Sequence, residues 1–269
     1  MNQKTIKTLT GLATAATMLL VATPAFALST SVAAGVTANT TGVSVSATVS
    51  TKVKALITKS DTAITARVNA LNALAARVGE MKNVSADEKA ALMGDATTNV
   101  TGLGALKTKI DADTDLTTTQ TDAKGILGDF RIYVLVIPRG YIIASADRVM
   151  TIASMMTTIS TKLQARITAA QSAGQNVTAL ITAKADLDAK IADAQSQANI
   201  GASAIAGLAP DQGDKTVAAS NHTALVAARA NIKTATSDLK TARADMKTIM
   251  DGLKKIEPKV SATASTTAQ

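Results

Sequence analysis

Residues 225–256, LVAARANIKTATSDLKTARADMKTIMDGLKKI, carry the pattern that decides the fold. Apolar residues recur there every seven positions along two lines. The first line is Leu225, Ile232, Leu239, Met246 and Leu253, and the second is Ala228, Ala235, Ala242, Ile249 and Ile256. An a/d heptad held over five repeats is typical of a helix that buries a narrow seam against other helices. The pattern predicts an all-α fold, an elongated antiparallel coiled coil or helical bundle.

Heptads and capping signals predict five further helices upstream. The six predicted helices span about residues 52–82, 85–110, 116–137, 138–173, 178–206 and 217–256. Ser85 and Glu88 match the capping box that starts a helix. Pro138 removes a backbone donor and predicts a kink. We therefore expect two spectrin-like three-helix bundles, 52–137 and 138–256, joined end to end at Pro138.

The flanks of the helical region lack heptads. Residues 28–51 are rich in Thr, Ser and Val, with an alternating run at Val43, Val45, Ala47 and Val49. Alternation is a strand signal, but a lone strand would have no partner, so we predict a flexible stalk. The similar residues 257–269 are predicted to be a disordered tail.

Residues 1–27 have the pattern of a signal peptide. Lys4 and Lys7 precede an apolar stretch, and Ala25-Phe26-Ala27 forms a small-x-small cleavage site. The alternative is an uncleaved anchor, although the apolar core is shorter than the ~20 residues of a span. No later segment is predicted to cross a membrane. We expect a secreted, periplasmic or cell-envelope protein.

The cysteine content indicates how the protein is stabilised, and the net charge indicates which partners it favours. The chain has a formal net charge of +8 and no Cys, so packing alone must stabilise it. A basic exported protein favours anionic neighbours such as an envelope polymer, although net charge also serves solubility. Self-association or a protein partner through the helices is expected, and no specific nucleic acid.

Catalytic and cofactor motifs are not evident. His222 is the single histidine, and the sequence has no nucleophile elbow and no phosphate-binding glycine loop. Acidic residues are spread along the helices. The sequence predicts a non-enzymatic protein without a cofactor, calcium excepted.

Calcium is suggested by Asp111, Asp113, Asp115 and Asp122, which occupy positions 1, 3, 5 and 12 of a calcium loop. Leu116 stands where such a loop needs Gly. In the alternative interpretation these acids cap the following helix and oppose its dipole, with Asp113 or Thr114 as the cap residue.

A second candidate site is the aromatic cluster. Phe130, Tyr133 and Tyr141 lie within twelve residues, together with Arg131 and Arg139. This segment is either a patch that touches a partner or the thickest part of the core.

A third candidate is a basic stripe on the last helix. Lys233, Lys240, Lys247 and Lys254 are spaced by seven, one position after the first apolar line. Asp238 and Asp245 lie one position before that line. The stripe either sets helix pairing and is otherwise solvated, or binds an anionic polymer.

Three stretches of the sequence resemble a family of proteins, and this resemblance suggests where the protein is located. Lys109-Ile-Asp-Ala-Asp-Thr-Asp-Leu116, Phe130-Arg-Ile-Tyr-Val-Leu-Val-Ile-Pro-Arg139 and Ala144-Ser-Ala-Asp-Arg148 resemble secreted helical proteins of candidate-phyla-radiation (Patescibacteria) bacteria. The resemblance covers about residues 107–150. It implies a bacterial envelope and no particular activity.

These observations predict an exported, non-enzymatic coiled-coil protein that acts as an envelope scaffold, spacer or interaction protein. The alternatives are a holdase-like chaperone or anionic-polymer binder, and a calcium-responsive module.

Overall fold

The computed structural model describes residues 42–256. Six helices make up this part of the chain, and it contains no strand. They are α1 (Gly42–Glu80), α2 (Ala86–Asp111), α3 (Leu116–Gly128), α4 (Val136–Ser172), α5 (Thr178–Ala206) and α6 (Lys215–Ile256). The predicted all-α helical bundle is confirmed.

The start of α1 differs from the prediction. The helix begins at Gly42, so residues 42–51 of the predicted stalk are helical. The alternating valines have no strand to pair with, and extending an existing helix adds one hydrogen bond for each residue fixed. The predicted signal peptide at 1–27, the rest of the predicted stalk at 28–41 and the predicted tail at 257–269 lie outside the described residues.

The predicted helix 116–137 and the kink at Pro138 are wrong. Helix α3 ends at Gly128, the chain turns, and α4 begins at Val136. Pro138 is the third residue of α4, in the first turn, where a backbone N–H has no partner within the helix. The seven-residue spacing of Leu116, Ala123, Phe130 and Ile137 continues across this turn, so this spacing alone could not show that the helix ends there.

The seam on α6 is confirmed. All ten residues of the two apolar lines are buried except the half-buried Ile256. Helix α5 lies antiparallel to α6, because Leu180 contacts Gly252, Lys190 pairs with Asp238, and Gly201 packs against the backbone of Ala228. Burying each large side chain of this seam contributes roughly 1.5–3 kcal/mol.

Helix α4 packs against both sets of helices. Helices α1, α2 and α3 pack on one another, α4, α5 and α6 pack on one another, and α4 also packs on α1 and α2. The first part of α4 runs parallel to α1, with Leu74 against Gly140 and the Asp147 carboxylate accepting from the backbone of Lys82 at 2.7 Å. One hydrophobic core therefore continues from Ile64 to Leu253.

Helix α4 is also the one described helix that is long and apolar enough to cross a membrane by length and composition. Its most apolar window has a mean hydropathy of 1.2, and 39% of that window is buried inside the protein. This is a weakly apolar helix that supplies much of the core, so it gives no clear transmembrane span.

Candidate functional site

The turn between α3 and α4 meets the loop between α5 and α6 at a cleft of about 550 Å³. Asn99 of α2 lies on one side of the cleft. The remainder is lined by the loop 210–213, by Gly128, Asp129 and Arg131, and by the apolar residues Ile132, Val134, Leu135 and Val136. Three segments that are distant in sequence thus meet around one concave surface.

Asp211 organises the loop side of the cleft. Its carboxylate is 7% exposed and accepts a hydrogen bond from Arg131 Nη1 at 2.9 Å and another from Gly213 N at 2.9 Å. Gln212 between them has φ = 49°, a left-handed conformation that costs a non-glycine residue roughly 1–2 kcal/mol. The two hydrogen bonds to Asp211 offset this cost, so the loop is held in a defined shape.

Arg139 connects the same loop to α2. Its side chain is 8% exposed, and Nη1 donates to Asp95 Oδ2 at 3.0 Å and to the Leu208 carbonyl at 3.3 Å. Asn221 of α6 donates to the Ala209 carbonyl at 2.8 Å. The loop is therefore fastened to both α2 and α6. Arg131 and Asp211 neutralise each other in the cleft, so their geometry is suited to holding these segments together.

The aromatic cluster does not form one surface patch. The ring of Phe130 packs on Gly102, where an added Cβ would lie 2.7 Å from its Cζ. The half-buried Tyr133 donates its hydroxyl to the Ala66 carbonyl at 3.3 Å, under the guanidinium of Arg67. Tyr141 is 40% exposed, with Arg77 over its ring. Most of the cluster fastens the turn and the start of α4 to α1 and α2.

Burial has an electrostatic consequence beside Tyr133. Loss of solvent lowers the pKa of Arg67 from its usual value, and the negative charge of an ionised Tyr133 would act in the opposite direction. Arg67 stays charged at any physiological pH, because an arginine pKa lies so far above neutrality.

Three of the four aspartates of the predicted calcium loop have separate partners. Asp115 is the N-cap of α3 and accepts from Thr118 N at 2.9 Å, so the capping interpretation holds, but Asp113 and Thr114 are the wrong cap residues. Asp111 pairs with Lys107 at 2.9 Å, and the buried Asp122 pairs with Lys109 at 2.8 Å. Among residues 42–256, no group of three or more His, Cys, Asp or Glu is arranged to hold a metal ion.

Asp113 lies close enough to two of these acids to be affected by them. Desolvation raises its pKa, and the charges of Asp122 and Asp115 raise it further. Its Oδ2 is buried without a hydrogen-bond partner.

The basic stripe is exposed along its whole length. Lys233, Lys240, Lys247 and Lys254 all lie on the outer side of α6, away from its buried seam. Lys247 and Lys254 share Asp251, at 2.6 and 3.7 Å. His222 is also exposed, near the start of α6.

Sequence reasoning missed Asp211 and Asp95. The Pro-Asp-Gln-Gly stretch at 210–213 has the composition of a turn, and that signal identifies the loop. The arginine that Asp211 binds is 80 residues away in the chain, so no local pattern could reveal the pair.

No family model, curated protein or solved structure matches this chain. The resemblance to secreted helical proteins of candidate-phyla-radiation bacteria stays a prediction.

Proposed function

We propose that this chain is an exported, non-enzymatic helical protein of the bacterial cell envelope or exterior that acts as a scaffold, spacer or binding partner. The observation that carries the proposal is the lengthwise packing of α4, α5 and α6. Helix α6 has 42 residues and extends about 63 Å at 1.5 Å per residue. A helix that buries one narrow seam of side chains over this length leaves a long outer face for contacts with other molecules.

The cleft supports a mechanical role. A spacer holds its partners at a fixed separation only if its own parts keep their relative positions. Arg131 and Arg139 bind the loop between α5 and α6 to the turn before α4 and to α2. We infer that these contacts fix the second set of helices on the first.

Export rests on the pattern of residues 1–27. The full chain, expressed in a bacterial host, should reach the periplasm, envelope or medium as a product that begins at Leu28, measured by fractionation and intact mass. Ala27→Lys should block cleavage, because the site needs a small residue. A wild-type chain that stays in the cytoplasm with residues 1–27 attached would contradict the export proposal.

The scaffold role can be tested in the same cells with a photo-crosslinking amino acid. Placed at the exposed Thr241, it should capture an envelope component. Placed at the adjacent Ala242, which is fully buried, it should capture only α4 or α5 of the same chain. Equal capture from the two positions, or capture of nothing at Thr241, would argue against a role through this face.

A further inference from the structure

Helix α6 concentrates the positive charge of the chain. Eight of its residues are Lys or Arg and three are Asp, a formal charge of +5 within a chain of net charge +8. Helices α1 and α4 each carry a formal charge of +3, and α2, α3 and α5 are close to neutral, so α6 has the largest positive charge of the described helices.

Two of the three acids of α6, Asp238 and Asp245, face α5, and the third, Asp251, pairs with Lys247 and Lys254. The Asp238 side chain is 14% exposed and binds Lys190 of α5 at 3.0 Å. Asp245 has a buried, unpartnered Oδ2, and desolvation followed by the charge of Asp186 on α5 raises its pKa. Both acids therefore lie at the boundary with α5, where they offset little of the charge that α6 presents outside.

The bases occupy the opposite flank. We define the basic ridge as Arg229, Lys233, Lys240, Arg243, Lys247 and Lys254, all exposed. Heptad spacing places successive lysines about 10.5 Å apart, and the arginines lie one turn before Lys233 and Lys247. Among the described residues, no Asp or Glu pairs with Arg229, Lys233, Lys240 or Arg243. The ridge thus presents charge at regular intervals over about 38 Å.

We propose that the basic ridge binds a linear anionic polymer of the cell envelope, one that repeats carboxylate or phosphate groups along its length. A straight row of cations matches a chain of regularly spaced anions, and several weak contacts made at once give useful avidity. Each contact also releases a counterion, so binding should weaken steeply with salt.

Other anionic surfaces fit the ridge less well. Helix α6 contains no Phe, Trp or Tyr on which the bases of a single-stranded nucleic acid could stack. Its exposed large apolar residues are Val217 and Val226, which precede the ridge, so the ridge lacks side chains that would insert into a lipid surface.

The test measures binding of the purified full chain to long poly-L-glutamate over a range of salt concentrations. The ridge variant replaces Arg229, Lys233, Lys240 and Arg243 with Gln. The control variant replaces the exposed Lys52, Lys54, Lys59 and Lys124 with Gln, so both lose the same charge. We expect the ridge variant to lose about tenfold or more in affinity and the control less than about twofold, because multivalent contacts act together.

An equal loss in the two variants would overturn the proposal, because binding would then follow net charge alone. It would also be overturned if anionic phospholipid vesicles or duplex DNA bound through the ridge while the polymer did not. Far-UV circular dichroism should show both variants folded.

The envelope location of the polymer rests on the proposed function, but binding of the polymer in vitro does not. Failed export and failed binding are therefore separate results.

Discussion

At the scale of the residue, Asp115 at the start of α3 distinguishes helix capping from calcium binding. Its side chain accepts hydrogen bonds from the first turn of the helix, which lowers its pKa below the usual value. A capping carboxylate also opposes the positive end of the helix dipole. Among the described residues, Asp115 thus serves as a helix cap, and the acids around it form no group of three or more that could hold a metal ion.

Replacing this cap should lower stability in a pH-dependent way. Asp115→Ala should reduce the melting temperature at pH 7 by about 2–4 °C, the usual effect of a lost cap in a domain of this size. The folded pKa is depressed, so the contribution of Asp115 is present above its unfolded pKa and disappears as pH falls through the folded value. Melting curves of the variant and the wild type should therefore converge in strong acid.

Calcium provides the control for this experiment. Millimolar calcium should leave the melting temperature of the wild type unchanged, and Asp111→Ala should respond in the same way. A calcium-dependent rise in melting temperature that is lost in Asp111→Ala would contradict the capping account, since a ligand of the folded state must stabilise it.

At the scale of the element, two glycines of α2 have different roles. Both should weaken the helix by intrinsic propensity. The ring of Phe130 packs directly on Gly102, whereas no atom lies within 4 Å of a Cβ added at Gly104. The first glycine is required by packing, and the second is not.

Gly104→Ala should stabilise the protein by about 0.5–1 kcal/mol, because alanine loses less backbone freedom on folding. Gly102→Ala should destabilise it, because the Phe130 ring would have to move. Urea unfolding of the two variants measures both effects. Stabilisation by both substitutions would show that Phe130 does not pack on α2 as described.

The seam of α6 allows a similar test with adjacent residues. Leu239→Ala should cost about 2–4 kcal/mol, because it leaves a cavity among buried neighbours. Lys240→Ala should cost less than about 0.5 kcal/mol, because this side chain is exposed. Denaturant midpoints give the comparison, and similar losses at the two positions would place the seam on a different face.

The sequence was informative where a local rule controls an element. The seam of α6 was predictable because burial repeats every seven residues, and the start of α2 because Ser85 caps it through Glu88 N at 3.2 Å. The break between α3 and α4 was not, because apolar residues continue in phase through the turn. Pro138 and the shifted phase of the next apolar line, Ile142, Val149 and Met156, indicated an interruption there, but a proline fits a first turn as readily as a kink.

At the scale of the molecule, the two sets of three helices share one core through α4. The pairs that reinforce this joint, Arg131 with Asp211 and Arg139 with Asp95, are separated by 80 and 44 residues. Such pairings depend on how the helices pack, which is why the sequence predicted the helices of the candidate site but not its contacts. Because they share this core, the two sets should unfold together.

The chain contains two tyrosines and no tryptophan, which makes this claim directly measurable. Tyr133 and Tyr141 both contact α1, so tyrosine fluorescence reports on that part of the molecule, whereas far-UV circular dichroism reports on all helices. In urea unfolding of the full chain, the two signals should give the same midpoint, as in a two-state transition. A tyrosine transition that is complete while much of the helical signal remains would show that the two sets unfold independently, and would contradict the account.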